Sequence, residues 1–462
     1  MAYPYILITA PEKSLARIAK YARKLTGSRH GDPVIAVGAL RIVLMPVAVE
    51  KMLDNAPSLL DPTQPQPFPD IVAAMGAQGA VPITAQRLGE LLAARASEEL
   101  GVPRLEASAK TMVVDGYDWH VKATRLVEAW DELGGAGGID WGDVRVGQID
   151  TGFRPLPCLG FGANGRSDFV LTEYDHNFFP GDFNRDDYLE YGKAPRSVDS
   201  ALDPLLGGAN DGHGSRTGSI LAGFDTSDDG SDGGRLKGFF GAAPRVPYIP
   251  VRISDSVIIN HVQEPLSLAI EHLVRHGCGV ITLSMGMALT YVTDRLQRAI
   301  DYAYEQGVIL VCAAGNVWDP VVAPARLRRT LAVGGSTPAG IPWLGSSFGP
   351  EVDISAPAWP IRRASVDRKG KPGFGIGDGT SFATPQVAGT AAMWLLRHGS
   401  SLTNAYPEKW QRVAAFKRVV TGTAQPGVEW NRNLYGAGIL DAHAALSAAL
   451  PEVAGLVKES PA

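Results

Sequence analysis

Cysteine is scarce in this chain: Cys158, Cys278 and Cys312 are the only three among 462 residues. Three cannot build a disulfide framework, and the apolar settings of Cys278 and Cys312 suit small buried hydrophobes. No apolar run approaches the ~18 residues of a membrane-crossing helix. No block of Lys and Arg offsets the formal charge of −5, which speaks against nucleic acid as a partner. The opening MAYPYILITAPEKSLARIAKYARKL has no basic stretch ahead of an apolar core, so it does not read as a secretory signal. These absences lead us to expect a reducing, cytoplasmic compartment, with neither membrane nor nucleic acid as partner. Glycine, by contrast, is abundant at 53 residues, in a chain that is 45% hydrophobic and 20% charged. That composition suits one large domain with many tight turns and a smaller companion.

From residue 143 short apolar runs alternate with amphipathic segments. VRVGQID (144–150), VPYIPVRI (246–253), GVITLSM (279–285), VILVCAA (308–314) and TLAVGG (330–335) read as buried strands. Between them, 264–276 aligns Leu266, Ile270, Leu273 and Val274. The segment 293–306 aligns Leu296, Ala299, Ile300 and Ala303 before Gly307. This alternation predicts an α/β domain with a mostly parallel sheet covered on both faces, and ligands at the carboxyl ends of its strands. Residues 1–116 read differently. PYILIT is a strand, Pro11 opens a helix, PVIAV and LRIVLM suit a hairpin, a helix follows at 86–100, and 104–114 is extended. The order predicts a small α+β, ferredoxin-like βαββαβ unit with a Pro-rich surface loop at about 55–84. Residues 117–142, with GGAGG at 134–138, read as a linker, 143–449 as the main domain and 450–462 as a C-terminal tail. Gly160, Gly162 and Gly165 spell G-x-G-x-x-G, but no strand feeds them and no helix pattern follows, so they do not form a nucleotide site.

Three element ends carry candidate chemistry. Ser381, in GDGTSFATPQVAG, follows a glycine-rich stretch and begins an apolar helix pattern. There, free backbone N–H groups and the helix dipole favour developing negative charge. Taken alone, such a Ser is more often a helix cap. Asp150 closes the apolar strand VGQID, where a lone Asp would be a turn former. His213, in NDGHGSRTG, opens a helix and has glycine on both sides, which removes bulk around one imidazole. A Ser hydroxyl needs a base to take its proton, and the base needs a carboxylate to hold its tautomer. Asp150, His213 and Ser381 supply those three roles.

The chain resembles the subtilisin-like serine peptidases. The resemblance rests on VGQIDTGF, DGHGSRTGSILAG, GAAPRVPYIPVRI, LSMG, AAGN, VGGSTPAG, SSFGPEVDISAP, GTSFATPQVAG and YGAGILDAHAAL, in family order over about 143–447. The order Asp, His, Ser is that of subtilisin. It implies the family's three-layer fold and peptide hydrolysis through an acyl-enzyme on Ser381, with Asn316 as oxyanion donor. The edge Ser284, Met285 and Gly286 would take an extended peptide as an added strand. With Ala313, Ala314 and Gly315 it would wall the pocket for the residue before the scissile bond. Small residues there suit a sizeable apolar side chain, whereas Asp319 would favour a basic one. The motif departs from the family at Ser215, where Thr is usual, and Arg216 follows it beside the site. Asp182, Asn184 and Asp186 repeat half a calcium loop, and the family often carries structural calcium. Asp187 and Lys193 exclude an EF-hand, and a solvated acidic loop is the plainer reading. Catalysis itself calls for no metal. The N-terminal unit resembles a propeptide that acts in cis as chaperone and inhibitor; the alternative is a permanent regulatory domain that gates or recruits substrate. Two other readings compete: a ligase or cyclase using the same acyl-enzyme, and a peptide-binding module blocked by its N-terminal unit.

Overall fold

The computed structural model describes residues 5–9, 35–37, 42–46 and 79–83, and residues 119–461 apart from 180–199, 204–209, 211, 226–238, 261, 288–291, 317–319, 344, 367–371 and 429. The expected helices of the N-terminal unit, its 104–114 strand, the 182–186 acidic loop and Asp319 lie outside these residues.

In the N-terminal region β1 (Tyr5–Thr9), β2 (Ile35–Val37), β3 (Ile42–Pro46) and β4 (Gly79–Ile83) pair in the order β2-β3-β1-β4. Every pairing is antiparallel. The fourth described strand thus falls inside the segment read as a Pro-rich loop. Pro82 lies within β4 and has no N–H to donate, which an edge strand tolerates.

The main domain is a seven-stranded sheet. Its strands are β5 (Val146–Asp150), β6 (His176–Asn177), β7 (Tyr248–Arg252), β8 (Val280–Leu283), β9 (Ile309–Ala313), β10 (Leu331–Ser336) and β11 (Ile354–Pro357). The order is β11-β10-β9-β8-β5-β7-β6 and every pairing is parallel. Val- and Ile-rich strands of this kind bury both faces. Val280, Ile309 and Leu331 face the helices 213–222 and 380–405, while their neighbours Ile281, Leu310 and Ala332 face the helices 263–275 and 294–305. The chain fills one side of β5 with β6 and β7, then crosses to β8 on the other side. Between β5 and β8 the connections part, and ligands gather at such a switch point. β12 (Ile361–Val366) and β13 (Pro372–Gly377) form a separate antiparallel hairpin leading into the Ser381 helix.

Within the segment read as a linker, residues 119–142 are tied to the main domain. The short helices Trp119–Ala123 and Leu126–Asp131 bury Val121, Leu126, Ala129 and Trp130 in the main core. The Trp119, Trp130 and Trp141 indoles donate to the backbone carbonyls of Pro360, Ala242 and Pro244. The C-terminal tail is also held, by Tyr406 Oη on Pro451 O and by Arg329 on the carbonyls of Glu459 and Ser460. All three cysteines are buried, and none is in a disulfide.

Candidate active site

Asp150 is the last residue of β5 and His213 the first of the helix His213–Ala222. Ser381 is the second residue of the helix Thr380–Ala405, and Asn316 lies three residues beyond β9. The switch point therefore gathers the four residues.

Asp150 is buried, and hydrogen bonds engage both of its oxygens. Oδ1 accepts from the Thr151 N–H at 2.7 Å and from His213 Nδ1 at 2.7 Å, and Oδ2 accepts from Thr217 Oγ1 at 3.0 Å. Thr217 sits one turn after His213 and accepts in turn from Gln148 Nε2 at 2.8 Å; that nitrogen also donates to Gly214 O at 2.7 Å. Thr151 Oγ1 donates to Asp203 Oδ2 at 3.0 Å and accepts from the Gly214 N–H at 3.1 Å. The Gly212 N–H donates to the same Asp203 oxygen. With Nδ1–H committed to Asp150, the imidazole presents Nε2 as the free base.

The glycines around His213 answer to the protein itself. A Cβ on Gly214 would lie 1.9 Å from Gly152 O, and Gly212 has φ 64°. The close approach expected at the imidazole is made by the Asp150 loop, which glycine alone admits.

The helix that begins at Thr380 reaches the base through Phe382, whose ring stacks on His213 with centroids 6.4 Å apart. Ser381 Oγ donates to Ser284 O at 3.1 Å, and among the described residues no hydrogen bond joins it to His213. Ser284 returns the contact, its Oγ donating to Ser381 O at 2.8 Å. The helix cannot serve that carbonyl, because the residue four positions on is Pro385, which has no N–H. The Thr380 N–H donates to Asn316 Oδ1 at 2.9 Å and the Phe382 N–H to Gly379 O at 2.9 Å. Among the described residues no acceptor takes the Ser381 N–H. Thr380 Oγ1 adds a second bond to Asn316 Oδ1 at 2.8 Å. Two donors on the oxygen fix the amide so that Nδ2 faces the site. Nδ2 would lie 3.2 Å from a Cβ on Gly379.

The expected substrate wall is only partly open. Ser284, Met285, Ala313 and Ala314 are buried, and Met285 and Ala314 belong to the core behind the sheet. Ala314 N–H donates to Val333 O, and Ala314 O accepts from the Val322 N–H. Gly286 and Gly315 keep partial exposure. Among the described residues no cluster of His, Cys, Asp or Glu could hold a metal ion, and no helix is long and apolar enough to cross a membrane. Sequence reasoning passed over Gln148, Thr151, Asp203, Thr217 and Thr380. The signals available were a lone Gln inside an apolar strand and a Thr one turn after His213.

The family model for the subtilases matches residues 142–438. The chain belongs to the subtilase family. This subtilase is 24% identical over 339 residues to a thermostable alkaline protease of Halalkalibacterium halodurans, across 73% of its own length and 78% of the other. It is 27% identical over 255 residues to subtilisin E of Bacillus subtilis, covering 54% of this chain and 58% of that protein. A solved protease of Pseudoalteromonas arctica superposes on 71% of this subtilase and 96% of its own chain. The TM-score is 0.53 at 19% identity, a likeness of fold alone.

Proposed function

We propose that this subtilase is a serine endopeptidase that hydrolyses peptide bonds through an acyl-enzyme on Ser381. What carries the reading is the bonded run Gln148–Thr217–Asp150–His213, which fixes one imidazole tautomer beside the nucleophile. Rotation about χ1 carries Ser381 Oγ from Ser284 O toward His213 Nε2, a move between staggered wells. Such bonds are often unmade until substrate arrives. His213 takes the proton as Oγ attacks the scissile carbonyl, and Asp150 stabilises the imidazolium. The Ser381 N–H and Asn316 Nδ2, both pre-aimed, receive the negative oxygen of the tetrahedral intermediate. His213 Nε2–H then protonates the leaving amine as the C–N bond breaks. A water, deprotonated by the same nitrogen, attacks the ester, and Ser381 recovers its proton as the acid leaves.

The substrate is an extended peptide whose acyl side pairs at Ser284. The N-terminal unit is a cis chaperone and inhibitor, and the compartment is cytoplasmic. A fluorophosphonate probe on the intact chain, read by intact mass with Ser381→Ala as control, tests the reaction. One probe adduct on wild type and none on the variant is expected. Absence of an adduct on both would overturn the proposal. A wild-type chain cut between residues 84 and 118, beside an uncut Ser381→Ala chain, would identify the N-terminal unit as an autoprocessed segment.

A further inference from the structure

Backbone groups of an extended strand point to alternate sides, so residues i and i+2 address the same neighbour. Beyond β8, Ser284 and Gly286 share one side. Met287 faces the other, exchanging hydrogen bonds with Ala323 at 2.7 and 3.2 Å. Ser284 O is where the reactive hydroxyl rests, so the substrate residue that supplies the scissile carbonyl (P1) lies against Ser284. One ladder step along the same edge is Gly286, the position for the residue two before it (P3). Gly286 is already paired. Its N–H donates to Val257 O at 3.0 Å, and its O accepts from the Ile259 N–H at 3.0 Å. The two make a parallel bridge between Ile258 and Gly286.

The covering segment is part of the body. Ile259 is fully buried in the core with Val262 and Leu266. Ser254 Oγ accepts from the Ser256 N–H and Ser256 Oγ from the Ile258 N–H, at 3.0 and 3.2 Å. Moving 257–259 aside would therefore break a buried anchor and two turns along with the Gly286 pair.

We propose that 257–259 closes the substrate edge at Gly286, so main-chain recognition on the acyl side ends before P3. The inference rests on the proposed peptidase reading and deepens it. Substrates are chosen by P1, P2 and the residues on the leaving side, and a longer acyl segment gains no ladder bonds. An open edge would offer P3 two backbone hydrogen bonds, which typically make a gain of about tenfold or more.

The test uses the full chain and N-acetyl p-nitroanilides with Phe at P1, preceded by zero to three alanines, so that only the acyl side varies. The expected result is a kcat/KM that changes less than about fivefold from two residues to four. A larger gain at the third residue overturns the inference and leaves the peptidase reading intact. Hydrogen exchange gives a second readout after Ser381 is modified with acetyl-Ala-Ala-Ala-Phe diphenyl phosphonate. The Gly286 and Ile259 amides should keep their protection, and exposure of Ile259 would overturn the inference. Absence of Ser381-dependent turnover and of phosphonate adduct would remove the peptidase reading itself, and the inference with it.

Discussion

On the Asp150 side of the site each carboxylate oxygen is satisfied, whereas on the Ser381 side the useful donors are idle. The Asp150 half is a polar network in a buried strand end, satisfied at the carboxylate and, among the described residues, left open only at Gln148 Oε1. The carboxylate takes three donors, Gln148 backs one of them, and Asp203 ties Thr151 to the loop before His213. The Ser381 half leaves its own N–H unpaired, aims Asn316 Nδ2 outward and parks its hydroxyl on Ser284. The two halves do different work. A base must hold one orientation through the cycle, so its support is saturated. An oxyanion site must have donors waiting, so its support secures the acceptor end of Asn316 and leaves the donor end bare.

The sharpest break of this contrast is Asp150→Asn. With donors already on both oxygens, an amide NH₂ must face a donor or reverse the imidazole tautomer. A loss of ~10⁴ in kcat is expected, measured on a chromogenic peptide, with melting temperature little changed. Asn316→Asp probes the other half. The carboxylate keeps both Thr380 bonds but replaces the idle donor with a charged oxygen that repels the oxyanion, so a loss in kcat of at least ~10²–10³ is expected, the size found when such a donor is removed from subtilisin. A smaller loss would mean that the Ser381 N–H alone holds the oxyanion.

Acid limbs of activity have to be separated from acid stability, to which the buried His120 contributes. Burial, helped by the Arg362 charge, pushes its imidazole down to about 4 from the ordinary 6.5. The folded protein keeps His120 neutral while the unfolded chain takes up a proton. Stability is therefore full above pH 6.5 and falls as pH drops toward 4, by about 3 kcal/mol from this group. Urea midpoints between pH 7 and 4 should show the decline, and His120→Phe should flatten it.

Much of this organisation was legible in the sequence, for identifiable reasons. The strands β5, β7, β8, β9 and β10 and the helices 263–275 and 294–305 announce themselves by apolar runs of the right period, whereas β6 is only His176–Asn177 and has no such run. Asp150, His213 and Ser381 stand out because each sits at an element end marked by glycine. The supporting residues were hidden because only tertiary proximity defines them. Nothing local says that Gln148 reaches Thr217, 69 positions away, or that Thr380 reaches Asn316, 64 positions back. β4 was hidden by Pro82, which argues against a strand except at an edge. The helices before Asp131 were hidden because each has only five or six residues, too few to display a period.

Thr217→Val asks whether the saturation around Asp150 matters or merely fills space. The substitution keeps the shape and removes the donor to Oδ2. A hydrogen bond to a charged group is worth ~1.5–3 kcal/mol, so a fall in kcat of about tenfold or more is expected with KM nearly unchanged. A less satisfied carboxylate holds the imidazolium more strongly, so the acid limb of kcat/KM should move to higher pH. Thr217→Ser should restore both, whereas a structural role alone would lower only the melting temperature.

The smallest effect is expected where the Ser381 half is already generous. Ser284→Ala removes the hydroxyl that serves Ser381 O, and Pro385 ensures that the helix supplies no substitute. One buried carbonyl then loses its partner, at about 1 kcal/mol of stability, readable as a shift in urea midpoint. The backbone carbonyl of Ser284, where the reactive hydroxyl rests and P1 is expected to pair, survives the substitution. Turnover should therefore fall less than about threefold. A loss of ~10² or more would mean that the Ser381 carbonyl bond positions the nucleophile. The two halves would then be held with equal strictness, and the contrast drawn between them would fail.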